Sequence, residues 1–354
     1  MINWKSLFTR FIIVIIVVFA YASKIGAYNI SIININNKNS STFYEKLLNN
    51  PSVIRAIFVG DILMSRYVKD SVYNNFNGDY RELFTHVIPF FNGADMIFGN
   101  LENPVTDKKM TIVNNLIPMI QHPLGAFHSL TNVCCDFGTE VQAIEALKWA
   151  GFNVVNIANN HLGDAGIKGI EDTINNLNSV GLNYVGGGFN AAESHSPYIF
   201  NKNSVKIGIL GYSNVNNSKI WKSDETTAGI SFYDDNDAKK DLMLTKSLAD
   251  IIVVSLHYGD EGDKSPDNTQ IKTAHLMIDN GATIFIGHHP HVVQPIEVYN
   301  GGVIAYSLGN FVFDEDRFDK STGLLLEMLI IKSNIYVIPR QIIINYAHQP
   351  VIQF

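Results

Sequence analysis

"LMIDNGATIFIGHHPH", Leu276 to His291, decides the fold. It ends a helical pattern at Asn280, turns at Gly281, runs apolar from Ala282 to Ile286, and stops in His288, His289 and His291. A glycine between a helix end and a β-branched or aromatic run suits a left-handed cap followed by a strand. The same order recurs in "LKWAGFNVVNIAN", Leu147 to Asn159, and in "LNSVGLNYVGG", Leu177 to Gly187. Repetition of the unit predicts an α/β protein. The stretches Val292 to Asp314 and Leu324 to Ile344 read instead as successive strands, with tight turns at Asn300-Gly301-Gly302 and Ser333-Asn334. A mixed sheet, or a pair of packed sheets flanked by helices, is the architecture this implies.

Three imidazoles at a strand end need an explanation. One histidine there is commonly a hydrogen-bonding residue, but neighbouring imidazoles repel when protonated and compete for acceptors. A cation that holds them neutral removes that conflict. One tight loop cannot complete a coordination shell, so ligands must come from elsewhere. The other apolar runs supply them. Ile54 to Val59 ends in Gly60-Asp61, and Met96 to Phe98 ends in Gly99-Asn100-Leu101-Glu102. Val154 to Ile157 ends in Ala158-Asn159-Asn160-His161, and Ile251 to Leu256 ends in His257. In open α/β sheets ligands bind outside the carboxyl ends of strands, so these five ends can converge. Singly, Gly60-Asp61 fits a turn, Asn159 and Asn160 fit caps, and His257 fits a core histidine. Together they offer oxygen and imidazole donors without thiolate, which suits one or two ions of Mn, Fe or Zn. Paired ions about 4 Å apart activate water and hold the oxygens of a phosphoester displacement.

The 354 residues, 46% of them hydrophobic, can bury a large core. A net charge of -7 excludes the basic face of a nucleic-acid binder. Lys5 and Arg10 precede the apolar run "FIIVIIVVFAYA", Phe11 to Ala22, which Lys24 closes. Those charges mark an export signal with its N-terminus inside. Ala20-Tyr21-Ala22 resembles a cleavage site, and an uncleaved anchor is the favoured reading. The expected organisation is an anchor over residues 1–31, a polar linker over 32–50 that includes "ISIININNKNSS", Ile30 to Ser41, and one domain over 51–354. Cys134 and Cys135 are adjacent and give no disulfide framework. No P-loop motif is present, which excludes an ATP-using ligase of that kind.

Six motifs in order carry a family resemblance: "VGDILMSR" (59–66), "GNLENPVTD" (99–107), "NIANNHLGDAG" (156–166), "SLHYGDEG" (255–262), "GHHPHVVQPIEVYNG" (287–301) and "YSLGNFVFD" (306–314). The chain resembles the CapA/PgsA family of bacterial capsule synthesis proteins, which is similar in turn to calcineurin-like metallophosphoesterases. That resemblance implies a sandwich of two mixed β-sheets between helices. It implies metal ligation by Asp61, by Glu102 near the bridging carboxylate, and by Asn160, His257, His289 and His291. It implies that His161 protonates a leaving group. His288 is then left over as a ligand and, with Asn159, Glu261 and Asn310, takes a supporting or substrate position. Two departures stand out: Leu63 occupies the place of a metal histidine in the phosphoesterases, and Tyr258 and Gly262 stand where the family more often has aromatic residues.

The resemblance further implies a place in the cytoplasmic membrane with the domain outside the cytoplasm. There the chain would act beside an ATP-dependent ligase and membrane subunits that make and export poly-γ-glutamate. Two functions fit, a metal-dependent hydrolase or transferase and a metal-bound component that guides the polymer. An anionic polymer calls for a cation near the site, and Arg66 offers either that cation or a surface salt bridge.

Overall fold

The computed structural model describes residues 29–33, 38–107, 137–215, 221–314 and 320–353. The apolar run Phe11 to Ala22 and the pair Cys134-Cys135 lie outside the described residues. No helix among the described residues is long and apolar enough to cross a membrane.

Two mixed sheets carry the fold. In the nine-stranded sheet the order runs β1 (Asn29–Ile32), β16 (Asn334–Ile344), β15 (Thr322–Ile331), β2 (Ile54–Ile62), β3 (Met96–Leu101), β4 (Val154–Asn156) and β5 (Asn183–Val185). Beside this path, β14 (Asn310–Val312) pairs with β2 and β17 (Pro350–Ile352) with β16. The six-stranded sheet runs β12 (Ile296–Tyr299), β13 (Gly302–Ala305), β11 (Ile284–His288), β10 (Ile251–His257), β8 (Val205–Ser213) and β7 (Tyr198–Lys202). A small ribbon joins β6 (Gly187–Gly188) to β9 (Gly229–Ile230). Strands β2 to β5 are mutually parallel, as are β8, β10, β11 and β13; the antiparallel pairs lie at the C-terminal strands and the edges.

Side-chain alternation explains the layering. Along β2, Ile54, Ala56 and Phe58 face a core shared with Ile207, Ile209, Val253, Ile284 and Ile286 of the other sheet. Ile57 and Val59 point the opposite way, against Val68 and Val72 of the helix Arg66–Phe76 and Ile144 of the helix Val141–Trp149. Beyond the second sheet, Leu210, Val254 and Phe285 pack under the helices Asp235–Lys246 and Asn268–Asp279. A strand buried on both faces reads as a continuous apolar run, which is why the core strands were legible. Each fully buried side chain of this size contributes about 1.5–3 kcal/mol. The two sheets thus form the middle layers of a sandwich between helices.

Turn chemistry holds with one small shift. Asn300 and Gly301 both have positive φ (44° and 78°) and join β12 to β13, whereas the β15–β16 turn centres on Lys332 and Ser333 because Ile331 already pairs with Asn334. A larger difference concerns the stretch read as linker. Asn29–Ile32 pairs in parallel with β16, and Lys38–Leu48 is a helix whose Tyr44 and Leu47 pack on Leu329 and Ile338. The alternating exposure of this short edge strand leaves little apolar signal in the sequence.

Candidate metal centre

Two glycines bring the strand ends together. A Cβ on Gly60 would strike the carbonyl of Gly309, and one on Gly287 would strike the carbonyl of Tyr306. Each immediately precedes a site residue, Asp61 or His288, so the chain behind the site can lie against the return segment only without a side chain there.

Asp61 is the hub. Its Oδ1 accepts from Asn100 Nδ2 at 2.9 Å and lies 2.9 Å from His288 Nδ1. Its Oδ2 accepts the backbone N–H of His289 at 3.1 Å and lies 3.4 Å from His291 Nδ1. His289 and His291 both have positive φ, 94° and 57°, on either side of Pro290. Non-glycine residues held there cost about 1–3 kcal/mol each, and such strain persists only where the surroundings impose it. Here the end of β11 and the turn after it aim the His289 N–H and the rings of His288 and His291 at Asp61.

The remaining ends close around this group. Asn100 Nδ2 also reaches Glu102 Oε1 at 3.3 Å and lies 3.2 Å from His257 Nδ1, while Asn100 Oδ1 accepts from Asn156 Nδ2 at 2.9 Å. His257 Nε2 lies 2.8 Å from Asn160 Oδ1, and the His257 ring stands 4.7 Å from that of His289. Asp61, Glu102, His257 and His288 are fully buried, and Asn160, His289 and His291 nearly so. Asp61, Glu102 and His291 present ligand atoms within 4.8 Å of one another, as do Glu261, His289 and His291.

The electrostatics fit a cation. Burial pushes the Asp61 carboxyl up, but contacts from His288 and His291 outweigh it and hold it well below the usual range. Burial and the charge of Asp61 push Glu102 well above it. Burial and neighbouring imidazoles hold His257 well below its ordinary value and His289 down to about 4. For His291, burial is outweighed by Glu102 and Asp61, which carry it up to about 9. Glu102 Oε2, His289 Nδ1 and His288 Nε2 are buried without a hydrogen-bond partner among the described residues. Buried lone pairs without partners are costly, and a divalent ion would satisfy them. The donor set fits the oxygen and imidazole ligation expected of Mn, Fe or Zn.

Comparison with known proteins decides the family. The family described as Bacterial capsule synthesis protein PGA_cap matches residues 55–315. The chain belongs to it. It is 38% identical over 264 residues to the PGA biosynthesis protein CapA of Bacillus subtilis, covering 74% of this chain and 64% of that protein. To the capsule biosynthesis protein CapA of Bacillus anthracis it is 36% identical over 262 residues, covering 73% and 59%. The chain thus spans about three fifths of the length of these curated relatives. Among solved structures, Haemophilus influenzae NAD nucleotidase superposes with a TM-score of 0.45 at 12% identity, over 85% of this chain and 54% of that one. Nothing about chemistry rests on a likeness of that size.

Other residues of this capsule-family site take distinct places. His161 lies on the rim, its Nδ1 2.8 Å from Asp164 Oδ2 and its Nε2 3.3 Å from Asn160 Nδ2, with Phe137 stacked on its ring at 4.0 Å. Asn159 shapes the loop: its Oδ1 accepts the N–H groups of His161 and Leu162, and its Nδ2 donates to the carbonyl of Leu101. His288 supports Asp61, its Nδ1 2.9 Å from Asp61 Oδ1. Asn310 Oδ1 lies 2.9 Å from His291 Nδ1, and Asn310 Nδ2 donates to the Lys320 carbonyl. Arg66 forms an ion pair with Asp314 at 3.0 Å and lies over Phe137, so the salt-bridge reading describes it. Tyr258 packs in the outer core against Phe285. The roles of Asn100, Asn156, Asp164 and Lys320 were missed. Asp164, three residues after His161, was the one with a local signal.

Proposed function

We propose that this chain is a membrane-anchored component of poly-γ-glutamate capsule synthesis and export, and that its strand-end site performs a metal-assisted hydrolysis or transfer outside the cytoplasm. The observation that carries this reading is the His161–Asp164 pair on the rim of a buried cluster of carboxylates and imidazoles, at 2.8 Å. A component that only guided polymer would need His161 for packing alone. Asp61, Glu102, Asn160, His257, His289 and His291 would hold one or two divalent ions. Bound there, the ions would supply Lewis acidity. Asp164 orients the His161 ring so that Nε2 can carry a proton to a leaving group, and Phe137 shields one face of that ring from water. His257 and His289 stay neutral at physiological pH and so remain available as ligands.

The names of the Bacillus relatives support the capsule polymer as the substrate, and the positive charges at Lys5 and Arg10 before the apolar run support the orientation. A ligase and membrane subunits of the synthesis machinery are the partners this role requires. Capsule formation in cells whose own copy is replaced tests it. Asp61→Asn abolishes capsule with loss of metal, whereas His161→Ala impairs capsule with metal retained. Normal capsule from a folded, metal-loaded His161→Ala protein would reject the catalytic reading and leave the guiding one.

A further inference from the structure

Asp61, Glu102 and His291 give three donors to one ion, and a closed tetrahedral shell needs four. Leu63, two residues beyond Asp61, cannot help. It is fully buried with Phe313 and Ile344, and Phe137 packs against them. The Phe313 ring lies 4.5 Å from the ring of His291, so this flank of the site is an apolar wall.

A carboxylate arrives from another flank. Glu261 follows the end of β10 in a turn whose Gly259 and Gly262 both have positive φ, and the Gly262 N–H donates to the Pro290 carbonyl at 2.8 Å. That bond ties the Glu261 turn to the strained turn that carries His289 and His291. The Glu261 carboxylate lies within 4.8 Å of ligand nitrogens on both histidines, and His289 Nδ1, buried, has no hydrogen-bond partner among the described residues. On its other side Glu261 Oε2 meets Lys320 Nζ at 3.3 Å, although the Lys320 side chain is only 7% exposed. The Lys320 carbonyl is held by the Asn310 amide, whose oxygen faces His291. A lysine this deeply placed, fixed through the same amide as a ligand histidine, restrains the carboxylate it touches.

Resting on the metal reading of this site, we propose that Glu261 is a ligand of a second cation. Its carboxylate joins His289 there, beside the ion that Asp61, Glu102 and His291 would hold, and Lys320 is its positioning residue. The side chain of Glu261 is 55% exposed, so its replacement leaves the core intact.

The test uses the full chain, titrated with Mn²⁺ and Zn²⁺ by calorimetry, with elemental analysis after dialysis and circular dichroism as the check on folding. The wild type should hold two equivalents and Glu261→Gln one. Glu261→Asp, which keeps the charge, should regain the second ion at reduced affinity, and Lys320→Met should keep both with the weaker one bound about 10–100-fold less tightly. Equal ion counts and affinities in wild type and Glu261→Gln would overturn the assignment of Glu261 while leaving the metal site standing. A wild type that binds no ion would overturn the metal reading itself, and this proposal with it.

Discussion

Asn310 Oδ1 stands 2.9 Å from His291 Nδ1, while His291 Nε2 faces Glu102 Oε2 at 3.8 Å. Because Asn310 Nδ2 is committed to the Lys320 carbonyl, its oxygen must face the ring, and the ring's proton is drawn to Nδ1. Nε2 then keeps its lone pair for an ion. Asn310→Ala should therefore weaken metal binding about 10–100-fold without unfolding the chain. Titration calorimetry on the variant reads the effect, and unchanged affinity would show that Asn310 does not orient His291.

A divalent ion binds neutral imidazole, yet His291 is carried up to about 9 by Glu102 and Asp61 against the effect of burial. Its proton is present at pH 7 before the ion binds and must leave. Binding should release about one proton from this ring, and affinity should rise about tenfold per pH unit between pH 7 and 9, then level off. His257 and His289, already neutral, add nothing to the count. Calorimetry in buffers of different ionisation enthalpy measures the released protons. A pH-independent affinity over that range would contradict the protonated state of His291.

Asp164 acts through His161. Asp164→Asn keeps the size of the side chain and removes its charge, so turnover should fall by about tenfold, against about 100-fold or more for His161→Ala. Metal content should be unchanged in both. Equal activity of Asp164→Asn and wild type across pH would show the pair to be structural.

Glu327 lies far from the metal cluster, fully buried in β15, and receives Arg55 at 2.6 Å, Arg340 at 3.0 Å and the Tyr44 hydroxyl at 3.0 Å. Removing it leaves two buried guanidinium groups without their carboxylate. Glu327→Ala should cost about 3–5 kcal/mol, measured by urea unfolding. Tyr44→Phe removes only the bond from the N-terminal helix and should cost about 1 kcal/mol.

If Lys5 and Arg10 hold the N-terminus inside, a reporter active only outside the cytoplasm should work when fused after Phe354 and fail once Phe11 to Ala22 is deleted. Equal reporter activity from both proteins would contradict that orientation.

The sequence made the parallel strands and their polar ends legible for one physical reason. A strand buried on both faces is an apolar run, and the first polar residue after it marks the carboxyl edge where ligands gather. Asp61, Glu102, Asn160, His257, His289 and His291 stand at or just beyond such ends and come together in the structure, while their choice as ligands came from the family resemblance. Asn100 and Asn156 escaped because an amide's role depends on which way it faces, and only the packed site fixes that. Lys320 escaped because its contact with Glu261 depends on how the segment after β14 returns over the site. The pairing of Asn29–Ile32 with β16 joins residues 305 apart, with no local pattern in either segment that names the other.

Metal content is the most direct measurement of all. Full-length protein, purified from cells grown with supplemented Mn²⁺ and Zn²⁺ and dialysed without chelator, should carry at least one equivalent of Mn, Fe or Zn. Asp61→Asn, folded to the same extent, should carry markedly less. A wild-type chain that retains no metal under these conditions, or an Asp61→Asn chain that retains as much as the wild type, would contradict a metal centre at these strand ends.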